Sequence, residues 1–205
     1  MKPRYWERAK RDLARNDPRL GAIIRRHPRA HLVSRGDPFQ TLARSIVGQQ
    51  ISVKAAQAVW QRLAAAVPQM TPQALLARDR SRLRACGLSQ RKVEYVTDLA
   101  LRFRDGAIHV ARWPAMSDEE VIAELVGVRG IGRWTAEMFL IFNLMRPDVL
   151  PVDDLGLQRA ISLSYRAGRA VSEAAIRRIA RAWQPWRSVA TWYLWRSLDP
   201  VPVEY

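Results

Sequence analysis

The chain contains a single cysteine, Cys86. That excludes an internal disulfide and the four thiolates of an iron–sulfur cluster. Its three histidines, His27, His31 and His109, lack zinc-ligand spacing, so no zinc is expected. Lysine is scarce: Lys2, Lys10, Lys54 and Lys92 are the whole complement. No apolar run approaches the ~18 residues of a membrane span, and the N-terminal MKPRYWERAKRDLARND has no signal-peptide core. These absences point to a soluble intracellular protein with no membrane partner. Alternating apolar strand patterns, internal repeats and low-complexity tracts are also missing, which leaves an all-α chain of roughly ten helices.

What is present narrows the reading. A hydrophobic content of 48% excludes disorder, and 205 residues suffice for one domain with a core, or for two small lobes. Lys and Arg total 34 against 19 Asp and Glu, a net charge of +15. Such a balance suits a polyanionic partner, nucleic acid in preference to a membrane surface, although arginine-rich composition also reflects genomic bias.

Helical patterning runs along the chain. A basic amphipathic N-terminal helix is followed by one opened by Pro18, then by an apolar face at Phe39, Leu42, Ala43, Ile46 and Val47 that stops at Gly48. After GQQI, Ser52 is a plausible cap for the next helix. Thr71 and Ser81 read as caps of two short helices, and Gly87 ends the second. The opening Ser89, Gln90, Arg91 and Lys92 of the following helix is a sensible place for a phosphate contact. Ser117 and Glu120 form a capping box ahead of VIAELV. Of the eight tryptophans, most should be core, because aromatic side chains bury well.

The chain is organised around Val126 to Arg159. Gly127, Gly130 and Gly132 form a turn between two helices, and its backbone N–H groups, with those opening the second helix, make a concave site suited to a phosphate. From Trp134 to Met145 only Thr135, Glu137 and Asn143 are polar, so this helix should be buried. A loop bounded by Pro147 and Pro151 then delivers Asp153 and Asp154 to the start of LGLQRAISL, where the helix dipole favours a carboxylate anion. Taken singly, such a turn is usually only a turn, and such an Asp only an N-cap.

Together these parts resemble the helix-hairpin-helix DNA glycosylases. GIGRWTA followed by PVDD is similar to the 3-methyladenine DNA glycosylase II branch, which excises alkylated purines, and the resemblance extends from about Phe39 to Trp195. It implies one glycosylase domain over residues 1–205, with two helical lobes flanking a cleft and no N-terminal β domain. It implies base flipping, then hydrolysis of the N-glycosidic bond of a purine such as 3-methyladenine in double-stranded DNA, by a monomer associated with the nucleoid.

Residue by residue, the resemblance makes Asp154 the catalytic carboxylate, five residues before Arg159, and leaves Asp153 to capping or positioning. Trp134, Met138, Trp195 and Asp153 would line the substrate pocket. Gln49, Gln50 and Ile51 match the turn that enters the minor groove, with Gln50 at the wedge position, although a plain helix–helix turn fits that stretch equally well. Gly130, Gly132, Arg133 and Thr135 would contact phosphates. The carbonyls of Val126, Val128 and Ile131 match positions that bind a monovalent cation, Na+ or K+; no other cofactor is expected. Lyase relatives carry a nucleophilic lysine where this chain has Trp134, which implies a monofunctional enzyme. Two other readings remain: a non-catalytic helix-hairpin-helix DNA-binding protein, and a glycosylase of the same superfamily for oxidised or mismatched bases.

Overall fold

The computed structural model describes residues 2–198. Along them run twelve α-helices: α1 (Trp6–Asn16), α2 (Pro18–Arg26), α3 (Pro38–Gly48), α4 (Val53–Ala66), α5 (Pro72–Leu76), α6 (Arg80–Ala85), α7 (Gln90–Arg104), α8 (Asp118–Val126), α9 (Arg133–Phe142), α10 (Leu155–Tyr165), α11 (Glu173–Ala180) and α12 (Arg187–Leu198). Short 3₁₀ helices lie at Val110–Ala115 and Arg181–Trp183. The fold is all-α. The count exceeds ten because the C-terminal stretch divides at Gln184–Pro185 into α11 and α12, whereas the short α5 and α6 are separate as expected.

The start signals act as expected, with one exception. Asp17, Ser52, Thr71, Ser89 and Ser117 each accept an N–H from the first turn of their helix, and Ser117 and Glu120 close a capping box. Ser81 does not cap; it lies inside α6, which begins after Asp79. The acidic residue sits directly before the first helical position, so the helix starts two residues earlier than a serine cap would place it.

The helices group into two compact units, residues 2–34 with 140–198, and residues 35–139. In the first, Trp6 of α1 is fully buried and meets Trp192 and Tyr193 of α12 at ring separations of 5.2 and 5.8 Å. Buried Asp17 is fully engaged there: one oxygen accepts the N–H groups of Arg19 and Leu20, the other accepts Tyr165 Oη at 2.7 Å and Trp183 Nε1 at 2.9 Å. A buried carboxylate held on both oxygens stabilises, whereas an unpaired one would cost several kcal/mol. In the second unit, α3 and α5 pack on α7 through Phe39, Leu42, Ile46, Leu75, Val93, Val96 and Leu99. Phe39 meets Phe103 edge-on at 5.3 Å. The boundary between the units falls inside α9, which is buried from Thr135 to Phe142, as its apolar composition requires.

Candidate functional site

The glycine turn lies between α8 and α9 in the second unit. Gly130 has φ +81°, and a Cβ there would overlap the ring of Tyr95 on α7, so both conformation and space require glycine. Gly132 differs: a Cβ there would meet nothing within 4 Å. Packing therefore places no demand for glycine at this position. Asp98 of α7 braces the turn, its Oδ2 accepting the Arg129 N–H at 2.9 Å and Arg102 Nε at 3.0 Å. Within the turn, the Ile131 N–H donates to the Val128 carbonyl at 3.1 Å.

The opening of α9 departs from expectation at two side chains. The Arg133 guanidinium is committed to Glu119, at 2.9 Å, and to Glu137, at 3.1 Å. These bonds raise its pKa further and hold the Glu119 carboxyl below the usual range. Thr135 is only 7% exposed, because it lies on the inward face of a helix buried nearly all round. Neither side chain therefore stands free at the turn, whose N–H and C=O groups surround Gly130 and Gly132. Trp134 is 37% exposed at the start of α9, and Met138, one turn on, is buried.

The GQQIS turn stands against the hairpin. Gln50 adopts φ 57°, unusual for a residue with a side chain, and is exposed; Ile51 is 41% exposed beside it. Gln49 Nε2 donates to the Gly130 carbonyl at 2.7 Å, so the two turns are bonded to each other across 81 residues of sequence. Lys92 is not presented to a phosphate. Its Nζ donates to the carbonyls of Val47 and Gln49, both at 2.7 Å, because the end of α3 leaves acceptors unpaired where α7 packs on it. Burial lowers its pKa below the usual lysine value.

In the first unit, Asp154 is 8% exposed and caps α10, its Oδ1 accepting the Leu157 N–H at 2.6 Å. The same oxygen accepts Trp195 Nε1 at 2.7 Å. Trp195 stacks on Phe142 at 5.6 Å, and Gly156 leaves room for the indole, since a Cβ there would press on both Trp195 and Asp154 at 3.1 Å. The loop ahead of Asp154 is pinned to the start of α12. Arg187 makes a two-pronged pair with Asp148 at 2.7 and 2.8 Å, Ser188 Oγ accepts the Val149 N–H, and the Ser188 N–H donates to the Pro147 carbonyl. Helix α12 thus holds both the loop and the carboxylate it delivers. The capping role expected of Asp153 belongs to Asp154; Asp153 is exposed, one residue outside the cap.

The chain that carries this hairpin and this capped carboxylate has counterparts among known proteins. Residues 43–185 match the family described as HhH-GPD superfamily base excision DNA repair protein. The chain belongs to this superfamily. The crystal structure of a DNA-3-methyladenine glycosidase from Bacillus halodurans superposes with a TM-score of 0.85 at 34% identity, over 93% of this chain and 89% of that one. The 3-methyladenine DNA glycosylase Mag1 of Schizosaccharomyces pombe, in complex with abasic DNA, gives a TM-score of 0.78 at 29% identity, over 97% and 98% of the two chains. YfjP of Bacillus subtilis is 29% identical over 88% of this chain, which spans 66% of that relative's length.

For an HhH-GPD protein, the expected residues fall into two bonded groups. Gln49, Gln50 and the Gly130 hairpin form one, and Asp154 with Trp195 forms the other. Lys92, Tyr95, Asp98, Phe142, Asp148 and Arg187 support them, and none of these carries a local sequence signal for that role. Leu155, next to Asp154, is an exposed apolar side chain, 78% accessible at the first position of α10. Among the described residues, no helix is long and apolar enough to cross a membrane, and no group of three or more His, Cys, Asp or Glu could hold a metal ion.

Proposed function

We propose that this protein is a DNA glycosylase that flips an alkylated purine such as 3-methyladenine out of double-stranded DNA and hydrolyses its N-glycosidic bond. The observation that carries this reading is Asp154: a buried carboxylate gripped at Oδ1 by a helix N–H and an indole N–H. Alkylation at a ring nitrogen makes a purine cationic and a better leaving group. Cleavage leaves an oxocarbenium-like sugar, which a fixed carboxylate stabilises while it orients the attacking water. The relatives named for 3-methyladenine support the substrate class.

An indole face, that of Trp134 in the second unit or that of Trp195 in the first, offers a cationic base roughly 0.5–2 kcal/mol by cation–π attraction. Binding selection of that size is weak, so leaving-group lability does most of the discriminating and the substrate range is broad. The bond to be cut is out of reach of a buried carboxylate until the nucleotide leaves the stack. Gln50 and Ile51 are the side chains assigned to fill the gap. The turn carbonyls of Val126, Val128 and Ile131 would hold a structural Na+ or K+. A carbonyl oxygen has two lone pairs, and one Val128 lone pair takes the Ile131 N–H, so these hard donors keep capacity for a monovalent cation.

No Schiff-base step belongs to this reading. Lys2 and Lys10 pair with Glu7, Lys92 holds α3, Lys54 lies exposed in the first turn of α4, away from the hairpin in sequence, and Trp134 occupies the position where lyases carry lysine. The enzyme acts as an intracellular monomer without zinc or an iron–sulfur cluster. Incubation with duplexes carrying methylated, oxidised or mismatched bases, followed by chromatography of the released bases, tests the substrate class. Release of 3-methyladenine and 7-methylguanine supports it, and release confined to oxidised or mismatched bases overturns it.

A further inference from the structure

We propose that Lys92 and Gln49 are positioning residues that hold Gln50 in register with the glycine hairpin, so that phosphate capture and gap filling are set by one bonded unit. This inference rests on the reading of Gln50 as the wedge. A residue with a side chain persists in left-handed backbone only where its surroundings over-determine it. Here they do, on both sides. Ahead of Gln50, Lys92 donates to the carbonyls of Val47 and Gln49. Behind it, Ser52 caps α4 by accepting the Ala55 N–H. Between them the Gln49 side chain reaches the Gly130 carbonyl.

The same helix supplies the support for both turns. Lys92, Tyr95 and Asp98 lie at i, i+3 and i+6 on α7, touching the end of α3, Gly130 and the Arg129 N–H respectively. A displacement of the hairpin relative to α7 therefore displaces Gln49 and, with it, the backbone that aims Gln50. An ammonium suits this position because it is a compact donor that serves two carbonyls at once, whereas a guanidinium is a planar fork shaped for carboxylates and phosphates.

The closing experiment uses a duplex with an abasic-site analogue and 2-aminopurine as the orphaned partner base, whose fluorescence reports the wedge without any chemistry. Gln50→Ala, Lys92→Met and the double variant are compared, with undamaged-duplex affinity and circular dichroism measured alongside. Each single change should reduce the population of the inserted state about tenfold, as expected for loss of a charge-assisted hydrogen bond or of the wedge itself. The double variant should lose no more than either single one. Additive losses, or a silent Lys92→Met beside an effective Gln50→Ala, overturn the positioning role and leave the wedge reading standing. A silent Gln50→Ala overturns both. If Lys92→Met is unfolded, Gln49→Met, which leaves the Lys92 bonds in place, is put through the same cycle.

Discussion

Trp195 donates its indole N–H to Oδ1 of Asp154 at 2.7 Å, the oxygen that also caps α10 through Leu157. Cap and proposed catalyst are the same carboxylate, so its two roles must be separated by substitution. Asn caps a helix as well as Asp does, and its side-chain oxygen still accepts both N–H groups. Asp154→Asn should therefore melt within about 0.5 kcal/mol of the native protein, and Asp154→Ala should lose about 1 kcal/mol or more. Thermal unfolding of the pair checks this.

Trp195→Phe keeps a ring on Phe142 and removes only the donor. Single-turnover base release should fall about tenfold, the value of one hydrogen bond to a charged group. In the Asp154→Asn background the same change should cost little more, because the two residues act as one unit. Rates that fall by the same factor in both backgrounds would separate Trp195 from the carboxylate.

The hairpin glycines divide by cause. Gly130→Ala forces a side chain into φ +81° against Tyr95, so stability should drop by about 1 kcal/mol or more, along with duplex affinity. Gly132→Ala meets open space and should melt normally while binding undamaged duplex more weakly. Titrating duplex affinity against salt should give a steep linear log–log slope for the native protein. A flat slope would remove the phosphate role of the hairpin.

Alkali should loosen the first unit. Burial pushes Tyr5 and Tyr193 from 10.0 up to about 12, and Tyr165, bonded to Asp17, rises as well. An acid whose folded pKa is raised contributes stability fully present below its unfolded pKa and lost as pH rises through the folded one. Stability should fall between pH 10 and about 12, read by tyrosinate absorbance together with loss of helical circular dichroism.

The sequence announces features that depend on local chemistry. Glycine spacing marks the hairpin, side-chain oxygens mark helix starts at Ser52, Ser89 and Ser117, and an apolar run marks α9 as buried. Contacts that depend on folding over long separations carry no such mark. Gln49 meets Gly130 across 81 residues, Trp195 meets Asp154 across 41, and Lys92 meets Val47 across 45. Side-chain direction is equally hidden. Arg133 and Thr135 both open α9, yet one is bound to Glu119 and Glu137 and the other faces inward. Which face a helix-start residue takes is set by the packing of α9, and its polarity alone does not reveal that.

The most direct measurement of the central claim is release of free base from methylated duplex DNA by the native protein and by Asp154→Asn, with strand breaks scored before and after alkali. The account predicts that the native protein releases methylated purines, that folded Asp154→Asn is slower by at least about 10²-fold, and that strands break only after alkali. Equal release by both proteins would remove Asp154 from the chemistry. Breaks before alkali would contradict a glycosylase without a lyase step.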